Sequence, residues 1–93
     1  MVLIGIEVIL HLYAVDSLKG KRRIVKSITD HVRSRYKISA AEVADLDHLG
    51  RATLGFGLVS NSRKQAETVL QTVINYIDKQ AEAEIIEIYW LEA

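Results

Sequence analysis

SLKGKRRIVKSITDHVRSRYK runs from Ser17 to Lys37, and its two-sided periodicity settles what its neighbours must be. At about 100° per residue, Lys19, Arg22, Arg23, Lys26, Arg33 and Lys37 fall within an arc of about 100°, with Asp30 in the same stripe. Leu18, Ile24, Val25, Ile28, Val32 and Tyr36 fill an arc of about 120° on the other side, the width of a core-facing stripe. The segment is therefore an amphipathic helix that needs a sheet or another helix under its apolar side. Ser17 is placed to accept a first-turn N–H as N-cap, and Asp16 before it complements the positive end of the dipole. Lys19, Lys21 and Arg22 oppose that dipole, and together with free N–H groups they would suit a phosphate or sulfate. Lys21 and Arg35 lie inside the apolar arc. Lys21 is expected to snorkel, laying its methylenes on the core with its charge at the edge. Arg35 is expected either to snorkel or to pair with an acid of the following strand.

The charge of this helix is out of proportion to that of the chain. Between Lys19 and Lys37 stand eight cations and one acid, a sum of +7, whereas the whole chain balances 12 Lys+Arg against 12 Asp+Glu. The rest therefore carries −7. A one-signed, one-sided helix on an otherwise acidic domain points to a phosphate-bearing partner; the plainer alternative is a solvated basic face.

Outward from the helix, the segments read as strands and one more helix. Val2 to Leu12 is apolar at nearly every position, with Val2, Ile4, Ile6, Val8, Leu10 and Leu12 as one face and Glu7 and His11 on the other, as for a central strand. Ile38 to Asp47 mixes small and acidic residues, as an edge strand does. His48 to Arg51 reads as a hairpin loop with Gly50 available for positive φ. Ala52 to Ser60 alternates Ala52, Leu54, Phe56 and Leu58 against a thin face of Thr53, Gly55, Gly57 and Val59. Asn61 and Ser62 open a second helix, Ser62 and Gln65 forming a capping box, with Ala66, Val69, Leu70, Val73, Ile74 and Ile77 as its core stripe. Glu84 to Leu91 is a last strand, with Ile86, Ile88 and Trp90 opposite Ile85, Glu87, Tyr89 and Leu91.

Strand, helix, strand, strand, helix, strand with right-handed crossovers is the α+β ferredoxin-like βαββαβ sandwich: two helices on one face of a four-stranded antiparallel sheet. The expectation is one domain over residues 1–93. The uncovered face keeps Leu3, Ile9, Tyr89 and Leu91, a patch that would serve a homodimer. The chain has no Cys and no Pro, so disulfide, thiol and zinc-thiolate chemistry are excluded. The apolar run at Val2 to Leu12 is too short to span a bilayer, and the compartment is expected to be cytoplasmic.

No catalytic constellation emerges. Gly55-Phe56-Gly57-Leu58-Val59 partly matches the first RNP motif of RNA-recognition domains, but Leu54 and Leu58 stand where a cation and an aromatic belong, and alternation puts Phe56 in the core. Asp45, Asp47 and His48 match no metal-ligand spacing, and His11 and His31 lie on separate elements. Ser17, Ser39, Ser60 and Ser62 have no base partner. The phosphate loop of acylphosphatases, which share the expected fold, is missing. No cofactor is expected.

Four blocks carry a family resemblance across nearly the whole chain: Ser17-Leu18-Lys19-Gly20-Lys21-Arg22-Arg23, Val32-Arg33-Ser34-Arg35-Tyr36, Ser39-Ala40-Ala41-Glu42-Val43 and Ala52-Thr53-Leu54-Gly55. On these blocks the sequence resembles the YlxP-like family of small bacterial proteins, a domain-of-unknown-function family. It departs from the family pattern at Ala40 and Leu49, where a bulkier residue and an aromatic are common. The resemblance implies, through gene neighbourhood with transcription and translation factors, work on ribosomal RNA or the ribosome; it transfers no catalytic residue. The expectation is a non-catalytic accessory domain binding structured RNA or a ribosomal particle. Lys19, Arg22, Arg23, Lys26 and Arg33 are its phosphate contacts, and Lys21 and Arg35 assist. The alternative is a homodimer that binds a protein or a phosphorylated metabolite, with the first helix's N-terminus as anion site.

Overall fold

A computed structural model describes residues 1–93. The elements are β1 (Val2–Leu12), α1 (Leu18–Tyr36), β2 (Ser39–Ala44), β3 (Arg51–Ser60), α2 (Arg63–Asp78) and β4 (Ala83–Glu92). The strands form one antiparallel sheet in the order β2-β3-β1-β4, so β1 is internal and β2 and β4 are the edges. This is the ferredoxin-like arrangement read from the sequence. No helix is long and apolar enough to cross a membrane.

Ile4, Ile6, Val8, Leu10 and Leu12, the even positions of β1, are buried with Ala52, Leu54 and Phe56 of β3. Against them pack Ile24, Val25, Ile28 and Val32 of α1 and Ala66, Leu70, Val73, Ile74 and Ile77 of α2, in one continuous apolar cluster. Phe56 is thus a core residue and no stacking platform. Ser17 caps α1, accepting the Gly20 N–H at 3.0 Å, and Lys37 closes it in the left-handed region at φ 57°. Ser62 caps α2 by accepting the Gln65 N–H at 3.2 Å. The other half of the expected capping box is taken over by Ser60, whose hydroxyl accepts the Ser62 N–H at 3.0 Å.

Two bulges correct the strand reading. Ile9 pairs with Glu87 but Leu10 pairs with Ile85, so Ile86 has no partner and the alternation of β4 slips by one. A bulge places two residues opposite one, and the strand changes face there. Ile85 therefore packs against the core with Ile88, while Ile86, expected inside, is 53% exposed. In β2, Val43 is the unmatched residue between the Glu42–Leu54 and Ala44–Thr53 pairs, and its side chain lies over the bare backbone of Gly55.

The β2–β3 loop turns on Asp45 at φ 62°, and Gly50, expected to supply the positive φ, has none. Asp tolerates this region, and here its carboxylate is held by the Thr53 hydroxyl at 2.7 Å and Arg51 Nε at 3.2 Å. Arg51 belongs to β3, paired with His11. On the uncovered sheet face Leu3, Tyr89 and Leu91 are exposed as expected, whereas Ile9, between Thr53 and Glu87, is buried. Gly5 faces Gly57 there, and a Cβ at Gly5 would meet the Phe56 carbonyl oxygen at 2.7 Å. Only glycine fits that crossing of backbones.

Candidate nucleic-acid interface

The cations of α1 divide into those the fold uses and those it leaves in water. Lys21, expected to snorkel and to assist in phosphate binding, does neither: it is 1% exposed. Its ammonium lies 3.0 Å from Glu42 Oε2 and 3.3 Å from the Leu46 carbonyl, and donates a shorter hydrogen bond to the Asp45 carbonyl. A charge taken out of water must be paired and hydrogen-bonded, and here the Glu42 carboxylate pairs it while two carbonyls of the loop after β2 accept its hydrogen bonds. Lys21 is thereby removed from any external contact. The sequence held a signal for this. Lys21 sits near the middle of the apolar arc, too deep to reach water, and Glu42 is an acid one strand away.

Arg33 reaches over β2 with its side chain still 48% exposed. Its Nε and Nη2 donate to the Ala40 carbonyl at 3.1 and 2.5 Å, while Nη1 reaches Asp30 Oδ1 at 3.0 Å. Asp30 also holds Lys26 at 2.5 Å. The Lys26 hydrogen bond, with Arg33 adding to it, keeps the Asp30 carboxyl below the usual carboxylate range. Lys26 remains 76% exposed, so its pairing is a surface contact that a phosphate can displace. Arg33 is committed to its own sheet.

Lys19, Arg22 and Arg23 are exposed, and none of the six ion pairs of the molecule includes them. With Lys26 they form a ridge along the N-terminal half of α1. Arg35 is exposed and in none of the ion pairs, so of its two expected alternatives the salt bridge to the next strand is not formed, and its helical phase puts it on the flank away from the ridge. That flank faces α2, where His31 stacks on Tyr76 with ring centroids 4.0 Å apart and Tyr36 meets His31 edge-on at 6.2 Å. Burial, with the neighbouring Tyr36 adding to it, pushes the Tyr76 hydroxyl up from its ordinary value.

The cleft at the α1 N-terminus is lined by Tyr13, Asp16, Ser17, Gly20, Arg23 and Glu82. Two carboxylates beside one guanidinium leave a net negative charge there, and the Gly20 N–H is already given to Ser17. The ridge is the stronger anionic contact. Asp45 is held below the ordinary carboxylate range by the Thr53 hydrogen bond first and Arg51 second, as a structural acid is. No three His, Asp or Glu side chains converge on a common point.

A family profile described as "Protein of unknown function (DUF503)" matches residues 4–90. The chain belongs to the DUF503 family. The Uncharacterized protein YlxP of Bacillus subtilis (strain 168) is 37% identical to it over 73 residues, covering 78% of this chain and 79% of that protein. The DUF503 fold is seen again in a solved structure, the de novo designed protein LFR1 1 with ferredoxin fold. That structure superposes with a TM-score of 0.57 at 14% identity and covers 100% of this chain and 84% of the designed one. A likeness at that identity is one of fold alone.

Proposed function

We propose that this DUF503 protein is a non-catalytic accessory domain that docks on structured RNA or a ribosomal particle of the cytoplasm through the N-terminal half of α1. Lys19, Arg22 and Arg23 carry the reading: three neighbouring cations on one ridge, exposed and with no carboxylate of the chain paired to them. Lys26 joins them once a phosphate displaces Asp30. Contacts of this kind fix a protein on a nucleic-acid backbone without reading bases, and the sheet, with Phe56 buried, has no platform to read them.

The test is binding to a structured RNA at several salt concentrations. Lys19, Arg22, Arg23 and Lys26 acting together give a slope of log affinity against log salt of about −3 on single-stranded regions. The double variant Arg22→Glu/Arg23→Glu should weaken binding for all sequences alike. A flat salt response, or unchanged binding by the double variant, would remove the proposal. Recovery of RNA by crosslinking in living cells gives an independent answer.

A further inference from the structure

The two edges of the sheet are guarded unequally. On β2 the Ala40 carbonyl is occupied by Arg33, and just past the strand the Asp45 and Leu46 carbonyls are occupied by Lys21. β4 is longer, carries no Lys or Arg, and has Ile86, Tyr89, Trp90 and Leu91 exposed at 53%, 48%, 45% and 50%. An uncovered strand of this composition is a template for pairing with another chain. We propose that β4 pairs antiparallel with β4 of a second copy about a two-fold axis at Tyr89, joining two sheets into one of eight strands. The proposal stands independently of the RNA reading.

The occupant follows from the strand itself. About an axis at Tyr89, Ile88 of one copy faces Trp90 of the other and Glu87 faces Leu91, the regular stretch ending at the bulge at Ile86. The Ile88–Trp90 contacts are aliphatic–aromatic cross-strand pairs, and no acid faces an acid. Moving the axis to Ile88 sets Trp90 against the bulge at Ile86, and moving it to Trp90 shortens the overlap. Partners keep the same face from Glu87 to Leu91, since Ile88 and Trp90 pair with Val8 and Ile6 on the helix side, and Glu87, Tyr89 and Leu91 with Ile9, Glu7 and Gly5 on the other. The pairing is isologous, as two-fold contacts must be. A dimer through the open face instead would bury Glu7, which forms no ion pair, near the centre of the contact. Four half-exposed side chains per copy put the contact near the lower bound of specific interfaces, about 1,000 Å² in all, so the dimer is concentration-dependent.

Sedimentation equilibrium of the full chain over a concentration series is the test. The expected result is a monomer–dimer equilibrium whose dissociation constant rises more than about tenfold in Tyr89→Lys, which sets like charges face to face on the axis. The thermal midpoint of that variant, measured in parallel, should stay close to the parent's. Because the chain has no Cys, Tyr89→Cys should crosslink with itself on mild oxidation, and Ala41→Cys, on the open face, should not. A chain that stays monomeric throughout, as it would if β4 served a different protein, overturns the proposal. So does crosslinking through Ala41→Cys in place of Tyr89→Cys.

Discussion

β2 and β4 end the same sheet in opposite ways, and the contrast shows what becomes of a strongly basic helix. β2 has six residues, a bulge at Val43 and two α1 cations turned onto it, Arg33 near its start and Lys21 near its end. β4 has ten residues and a bulge of its own at Ile86, but no cation of the chain is turned onto its backbone. Of the seven cations grouped by sequence as phosphate contacts, Lys21 and Arg33 serve β2, so the charge available to a partner is smaller than the charge of the helix. A patch cannot be counted from composition. It must be counted after the fold has drawn on it.

The contrast is broken most severely at Lys21. Lys21→Ala leaves Glu42 partly buried without its counter-charge and is expected to cost about 3–5 kcal/mol, read as a shift of the urea midpoint. The pair Lys21→Met/Glu42→Leu should recover much of that loss, because no charge is then left buried. Arg33→Ala comes next, at about 1–1.5 kcal/mol for the hydrogen bonds to the Ala40 carbonyl. Faster hydrogen exchange confined to β2 would show that the edge itself has been loosened.

Acid sharpens the comparison with a smaller effect. Asp45 and Asp30 have folded-state pKa values lowered by Thr53 and by Lys26 respectively. Below about pH 4 the unfolded chain binds protons that the folded one does not. Their contribution is therefore whole above that value and fades as pH falls through the folded values. Asp45→Asn should flatten the acid limb of the stability profile. The smallest effect on stability belongs to Arg22→Glu/Arg23→Glu, whose thermal midpoint should stay close to the parent's because neither side chain forms an ion pair within the fold.

Much of this was legible in the residues. The alternation of Val2 to Leu12 and the stripes of both helices set the element order and the core, since each is a long periodic signal with one buried solution. The slips were local. Ile86 looked inward because period-two counting has no term for an extra residue, and only the pairing with β1 reveals one. Gly50 looked like the turn residue by composition, yet Asp45 takes the left-handed position because Thr53, Arg51 and Lys21 hold it there, and those contacts are distant in sequence. At the candidate interface the helical wheel found the ridge. It also placed Lys21 deep in the apolar arc, but it could not give the acceptors that Lys21 and Arg33 find, which depend on which strand lies alongside.

Trp90 is the chain's one tryptophan, and it stands half in water on the outermost strand. Its fluorescence is therefore a gauge of that border and not of the interior. Emission from the native protein should already lie toward the red, change little as the core melts, and move to the blue when a neighbour shields the indole. A quencher titration with iodide would then report occupancy of this margin without any label.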